Sequence, residues 1–144
     1  MSGSSSVGNA EELPLKDHSK DIIYNVESSH CYGNVEAFVK EVYRSLRNGG
    51  NFCWTDFRDK ETMEKLHAIF LDTGFEIVSK KDVAKEVLDA LDDINDSKVK
   101  GISESVPMGM RKSFETFAGV QGTPVYEAFK AGSLYYHRYL MVKT

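Results

Sequence analysis

No apolar run in these 144 residues approaches the roughly 18 that a membrane-spanning helix needs. The start, Met1 to Ser6, carries neither the basic nor the apolar region of a secretory signal, so the expected location is the cytoplasm. Cysteine is scarce: Cys31 and Cys53 are the only two and form no CxxC pattern, which excludes a disulfide framework. They read as two small buried hydrophobes, or with Cys31 lining a site. An excess of positive charge is also lacking. A net charge of -4 and a pI near 5.6 argue against a surface built for nucleic acid or anionic lipid and favour a small-molecule or protein partner. His18, His67 and His137 stand alone at no ligand spacing, which excludes a zinc site of ordinary pattern; the metal expectation is none.

What is present suffices for one buried core, since a chain of this size with 41% hydrophobic residues hides about two-thirds of its unfolded surface. Residues 1–9 are rich in Gly and Ser and read as a flexible lead-in; residues 10–144 read as the folded part. The β-branched run Asp21 to Val26 predicts a strand buried on both faces of a parallel sheet. A loop follows over Glu27 to Gly33. Asn34 is a natural N-cap, and Val35, Phe38, Val39, Val42, Tyr43 and Leu46 recur at helical steps until Arg47-Asn48-Gly49-Gly50, where Asn and Gly tolerate the left-handed conformation that stops a helix. Asn51 to Phe57 reads as a second buried strand. Asp59 to Thr73 reads as a helix with Met63, Leu66, Ile69 and Phe70 on one face and Gly74 as its stop, before a third strand over Phe75 to Val78.

Strand and helix thus alternate three times, a rhythm that predicts βαβ units on a parallel sheet with helices on both faces. The expected class is α/β, with three parallel strands and a final antiparallel one. After Lys81 the pattern turns helical, and residues 83–132 read as a lid-like insertion. Val83, Val87, Leu88, Leu91 and Ile94 share a face; Met108, Phe114 and Phe117 mark a second helix; Thr123-Pro124 opens a third that stops before Gly132. The aromatic group Phe114, Phe117, Tyr126 and Phe129, with Met108 and Met110, reads either as a cover for an apolar ligand or as ordinary core. Leu134 to Lys143 alternates with period two, as an antiparallel strand does.

Three stretches carry a resemblance: Gly8 to Pro14 (GNAEELP), Asp21 to Tyr32 (DIIYNVESSHCY) and Leu46 to Arg58 (LRNGGNFCWTDFR). In their order and spacing they resemble the class I S-adenosylmethionine-dependent methyltransferases that modify hydroxyl groups of sugars, polyketides and lipids. That family usually reads Gly-Asp-Ala in the first stretch, where the acid binds the adenine amino group. Asn9 stands at the acid position here, and a neutral amide accepts a weaker bond. The resemblance implies a partial Rossmann-like sheet with Asn9, Ala10 and Glu11 on the adenine side of the cofactor. Asn25, Val26 and Glu27 fall at the carboxyl end of a strand, where ligands of open α/β sheets gather. Asn9 also reads simply as a polar turn.

By the same resemblance, His30 and Asp56 fall on the positions of a base and its partner. The chemistry suits the residue types, because an alcohol attacks well only as its proton leaves and histidine accepts protons near neutrality. The pair also reads as a loop histidine satisfied by backbone and an aspartate capping the helix that begins at Lys60. Thiol catalysis by Cys31 is disfavoured, since adjacent side chains tend to point apart.

The family's Gly-x-Gly-x-Gly turn, which lets the methionine end of the cofactor approach, has no counterpart upstream of Asn9. The expectation is therefore a C-terminal portion of a methyltransferase, transferring a methyl group to a hydroxyl of a small hydrophobic molecule or lipid in the intact protein. Binding of S-adenosylmethionine by this chain alone is expected to be weak or absent. The alternative is a non-catalytic half-fold that binds another chain or itself through its open sheet edge.

Overall fold

The computed structural model describes residues 3–93 and 124–144. Four strands form one sheet in the order β1-β2-β4-β3: β1 Lys20–Val26, β2 Leu46–Asp59, β3 Phe75–Asp82 and β4 Leu134–Lys143. Only β1 and β2 pair in parallel; the rest of the sheet is antiparallel, because β4 inserts between β2 and β3 instead of adding at an edge. The expected three parallel strands are therefore not parallel neighbours. Local alternation predicts strand type well but is silent on where a late strand enters a sheet.

In the β1/β2 register, Ile23 lies opposite Phe52 and Asn25 opposite Trp54, so these four share one face, while Ile22, Tyr24 and Val26 belong to the other. The first face carries the core. Phe52, Trp54 and Asp56 of β2 are buried on it, and helices α1 (Val35–Ser45) and α2 (Lys60–Thr73) both pack there. The Phe52 ring meets Phe38 of α1 edge-on with centroids 6.1 Å apart, and Phe70 of α2 at the same 6.1 Å. Trp54, Phe70 and Tyr139 of β4 complete the cluster at 5.2 to 5.7 Å, in the tilted arrangements that aromatic quadrupoles prefer. On the opposite face Ile22 is 61% exposed, Tyr24 76% and Val26 57%. Among the described residues β1 is thus an edge strand with one buried face, and the expectation of a strand covered on both faces fails.

The caps explain the helix boundaries. Asn34 accepts from the Ala37 N–H at 3.0 Å to open α1, and Asp59 accepts from Thr62 N–H at 2.9 Å to open α2. Gly74, at φ 116°, closes α2 in the left-handed conformation. The end of α1 differs from expectation. The helix stops at Ser45, and Leu46 is already extended and paired opposite Lys20. The terminal carbonyls are taken by a buried lysine: Lys143 Nζ donates to Tyr43 O at 2.6 Å and Leu46 O at 2.9 Å, with its charge 4.5 Å from the centre of the Tyr43 ring. Asn48-Gly49-Gly50 is instead an irregularity inside β2. From Lys20 to Ile22 the partner advances from Leu46 to Asn51, so β2 bulges there, with Gly49 at φ 81°.

Contacts divide the chain into two units, Met1–Lys81 with His137–Thr144, and Asp82–Tyr136. Within the second, residues 84–93 are helical, helix α3 spans Pro124–Lys130, and Tyr126 donates to Asp92 Oδ1 at 2.6 Å. Gly132, at φ 76°, follows α3 as expected. Ile94, Met108, Met110, Phe114, Phe117 and Thr123 lie outside the described residues. Among the described residues, no helix is long and apolar enough to cross a membrane.

Candidate active site

Asp56 sits near the carboxyl end of β2 with no exposed surface, and the turn Ser29–Cys31 that follows β1 wraps around its carboxylate. Oδ1 lies 2.9 Å from the Nδ1 of His30 and accepts from the Phe57 N–H at 2.9 Å. Oδ2 accepts from the Ser29 hydroxyl at 2.8 Å and the His30 N–H at 3.1 Å, and forms an ion pair with Arg58 Nη1 at 3.2 Å. The two residues expected to act together are therefore in direct contact. The capping role weighed for Asp56 belongs to Asp59 instead.

Burial raises the pKa of the Asp56 carboxyl, but the Phe57 N–H, Ser29, His30 and the Arg58 charge together hold it below the ordinary aspartate value. The group is ionised at neutral pH. An ionised carboxylate only accepts, so the proton between the two side chains resides on His30 Nδ1. In the neutral imidazole this tautomer places the lone pair on Nε2, which makes no hydrogen bond among the described residues. The His30 side chain is 26% exposed, and its ring lies against Phe57 with centroids 4.8 Å apart. This arrangement offers an oriented proton acceptor to the outside, backed by a buried negative charge.

Asn25, on the core face of β1, is 8% exposed. Its Nδ2 donates to Ser28 Oγ at 2.8 Å and to Tyr32 Oη at 3.1 Å, whereas its buried Oδ1 has no partner among the described residues. Val26 points to the exposed face, and Glu27, at φ 47°, continues the ladder by donating its N–H to Thr55 O at 2.9 Å. Asn9 accepts from the Glu11 N–H at 3.0 Å in a tight turn, so the polar-turn reading describes its present use. Ala10 is half-buried, and Glu11 reaches the Asn34 N–H at the start of α1. The Asn9–Glu11 segment is thereby tied to the amino end of α1, and Asn25 to Glu27 stand at the carboxyl end of β1.

Ser29, Trp54 and Arg58 were not expected. Ser29 Oγ accepts from Trp54 Nε1 at 2.9 Å and Arg58 Nη2 at 3.0 Å while donating to Asp56. The signal was the density of polar residues in the motifs themselves, a serine directly before the histidine and an arginine two residues after the aspartate. Cys31 is exposed and Cys53 half-buried, both free, so the expectation of two buried hydrophobes fails for Cys31. No group of three metal-ligating side chains occurs among the described residues.

The sequence and the fold have counterparts among known proteins. A family described as methyltransferase domain matches residues 3–54. A phthiotriol/phenolphthiotriol dimycocerosates methyltransferase of Mycobacterium tuberculosis is 33% identical over 136 residues, 94% of this chain and 50% of its own length. Over nearly its whole length the chain is thus similar to methyltransferases. A fatty-acid O-methyltransferase of Mycolicibacterium smegmatis is 28% identical over 94% of this chain and 49% of its own length. Among solved structures, a phosphoethanolamine N-methyltransferase of Haemonchus contortus in complex with S-adenosyl-L-methionine shares the fold, with a TM-score of 0.72 at 14% identity over 94% of this chain and 36% of that one. The chain spans about half the length of the curated relatives it matches.

Proposed function

We propose that the whole protein to which this chain contributes transfers a methyl group from S-adenosylmethionine to a hydroxyl oxygen of a small hydrophobic molecule or lipid, and that His30 is the base. The observation that carries the reading is the 2.9 Å contact between His30 Nδ1 and Asp56 Oδ1, which leaves Nε2 as a proton acceptor. The relatives named for phthiotriol dimycocerosates and for fatty acids support a lipid-like acceptor.

S-adenosylmethionine, when bound, supplies an electrophilic methyl group on a sulfonium. The residues on the cofactor side would be Asn9, Ala10 and Glu11 for the nucleoside and Asn25, Val26 and Glu27 toward the reacting end. The Asn25 Oδ1, without a partner among the described residues, fits that assignment, because a buried acceptor is costly until a donor such as an amino group meets it. Asn9 fits less tightly, since its oxygen already accepts one bond and has a single lone pair left. The acceptor hydroxyl would donate to His30 Nε2, and its proton would move to that nitrogen as the oxygen becomes nucleophilic. Asp56 holds the ring in the accepting tautomer and stabilises the imidazolium that forms.

The test is transfer of a radiolabelled methyl group from S-adenosylmethionine to a hydroxylated lipid by the whole protein and by its His30→Gln variant. Loss of a general base lowers the rate by about 10² to 10⁴. A variant that keeps the parent rate overturns the reading.

A further inference from the structure

Five donors converge on the two oxygens of Asp56, and their distribution is uneven. Oδ2 is filled by the Ser29 hydroxyl, the His30 N–H and Arg58, whereas Oδ1 takes the Phe57 N–H and the imidazole. Arg58 is 10% exposed in its side chain and spans two acceptors at once, with Nη1 on Asp56 and Nη2 on Ser29 at 3.0 Å; Nη1 also donates to its neighbour's carbonyl, Phe57 O, at 2.6 Å. Its guanidinium lies 5.9 Å from the centre of the Trp54 ring. Ser29 in turn accepts from Trp54 Nε1, so both lone pairs and the proton of its hydroxyl are committed. Neither Ser29 nor Arg58 has freedom to release Oδ2.

We propose that Ser29 and Arg58 are positioning residues that fix the tautomer of His30, by occupying Oδ2 of Asp56 so that Oδ1 alone faces the imidazole. The inference rests on the dyad reading of the previous subsection and names what enforces it. A carboxylate free to rotate about its terminal torsion presents either oxygen, at varied angles, and holds an imidazole loosely. With Oδ2 clamped by a hydroxyl and a planar cation, Oδ1 is held beside Nδ1, and the ring is committed to Nδ1–H. Lysine is a poor substitute for the cation, because a point charge cannot bridge two acceptors as a planar fork does.

The ring nitrogens report this directly, without any activity of the chain. Long-range ¹H–¹⁵N correlation spectra of the 144-residue protein, taken where the ring is neutral, are expected to give His30 a pyrrole-like Nδ1 and a pyridine-like Nε2. In Asp56→Asn the two nitrogen shifts move toward each other or exchange. In Ser29→Ala and Arg58→Lys they converge part of the way, while the dispersion of the backbone amide signals verifies that the fold is kept. Folded Ser29→Ala and Arg58→Lys proteins with parent shifts overturn the positioning role and leave the dyad standing. Unchanged shifts in Asp56→Asn overturn the dyad itself. Should Ser29→Ala lose the fold, Arg58→Lys, which keeps the charge, decides.

Discussion

At Asp56 two opposing demands meet in one side chain: complete burial penalises its charge, and the donors around it reward that charge. The sign of the balance is set by their number, since burial alone would raise the carboxyl pKa and the Phe57 N–H, Ser29, His30 and Arg58 reverse it. A carboxyl whose pKa is depressed by folding stabilises the protein above its unfolded value of about 3.9, and that stabilisation is lost as pH falls through the lower folded value. Replacing Asp56 by Asn removes the charge but leaves Arg58 buried and the other donors short of acceptors. Breaking a buried pair in this way costs about 3 to 5 kcal/mol. Urea melts of Asp56→Asn are expected to show that loss at pH 7 and a flatter decline than the parent toward pH 3. A variant as stable as the parent at pH 7 would mean that the cluster contributes nothing to the fold. The dyad was legible because the two residues lie at neighbouring strand ends and within motifs of the family. Ser29 and Arg58 were not, because their roles depend on which oxygen each one reaches.

For the secondary-structure elements, the readable signals were those written locally. The helical spacing of Phe38, Val39 and Val42, the Asn34 and Asp59 caps and the Gly74 stop lie within a turn or two of what they specify. The end of α1 was misread because its carbonyls are satisfied by Lys143, 97 residues away from Leu46 in sequence. With that cap supplied from β4, Asn48-Gly49-Gly50 is released to shape β2. Gly50 is required there for closeness: a Cβ would stand 2.8 Å from Arg47 O and 3.0 Å from Asp21 O, both backbone atoms. A methyl group at Gly50 must therefore push β1 away from β2. Overpacking of this kind costs about 1 to 3 kcal/mol. Gly50→Ala is expected to lower the urea midpoint accordingly and to speed amide hydrogen exchange at the start of β1. An unchanged midpoint would show that the bulge yields without strain. The insertion of β4 between β2 and β3 was illegible for the same reason as the α1 cap, because strand order is a long-range property.

On the scale of the whole molecule, the sheet formed by the described residues ends at β1. That strand lies at the end of the sheet order, with Ile22, Tyr24 and Val26 exposed along the face opposite the aromatic core. The backbone groups of β1 directed away from β2 have no strand beside them among the described residues. An edge of this composition is a template for another strand, and the usual protections of an edge, a lysine or proline within the apolar run, are absent from Ile22 to Val26. The 144-residue protein is therefore expected to associate as its concentration rises, with a sedimentation coefficient that grows across a dilution series. Tyr24→Lys places a charge at the most exposed of the three positions and leaves the buried face untouched, so it should return the protein to a single slow species without loss of stability. A parent protein that sediments as a monomer at every concentration would show that the twist of β1 or its flanking Lys20 and Asp21 already protect the edge. If Tyr24→Lys associates as strongly as the parent, the contact lies elsewhere, because a lysine in the middle of a pairing strand face is hard to bury.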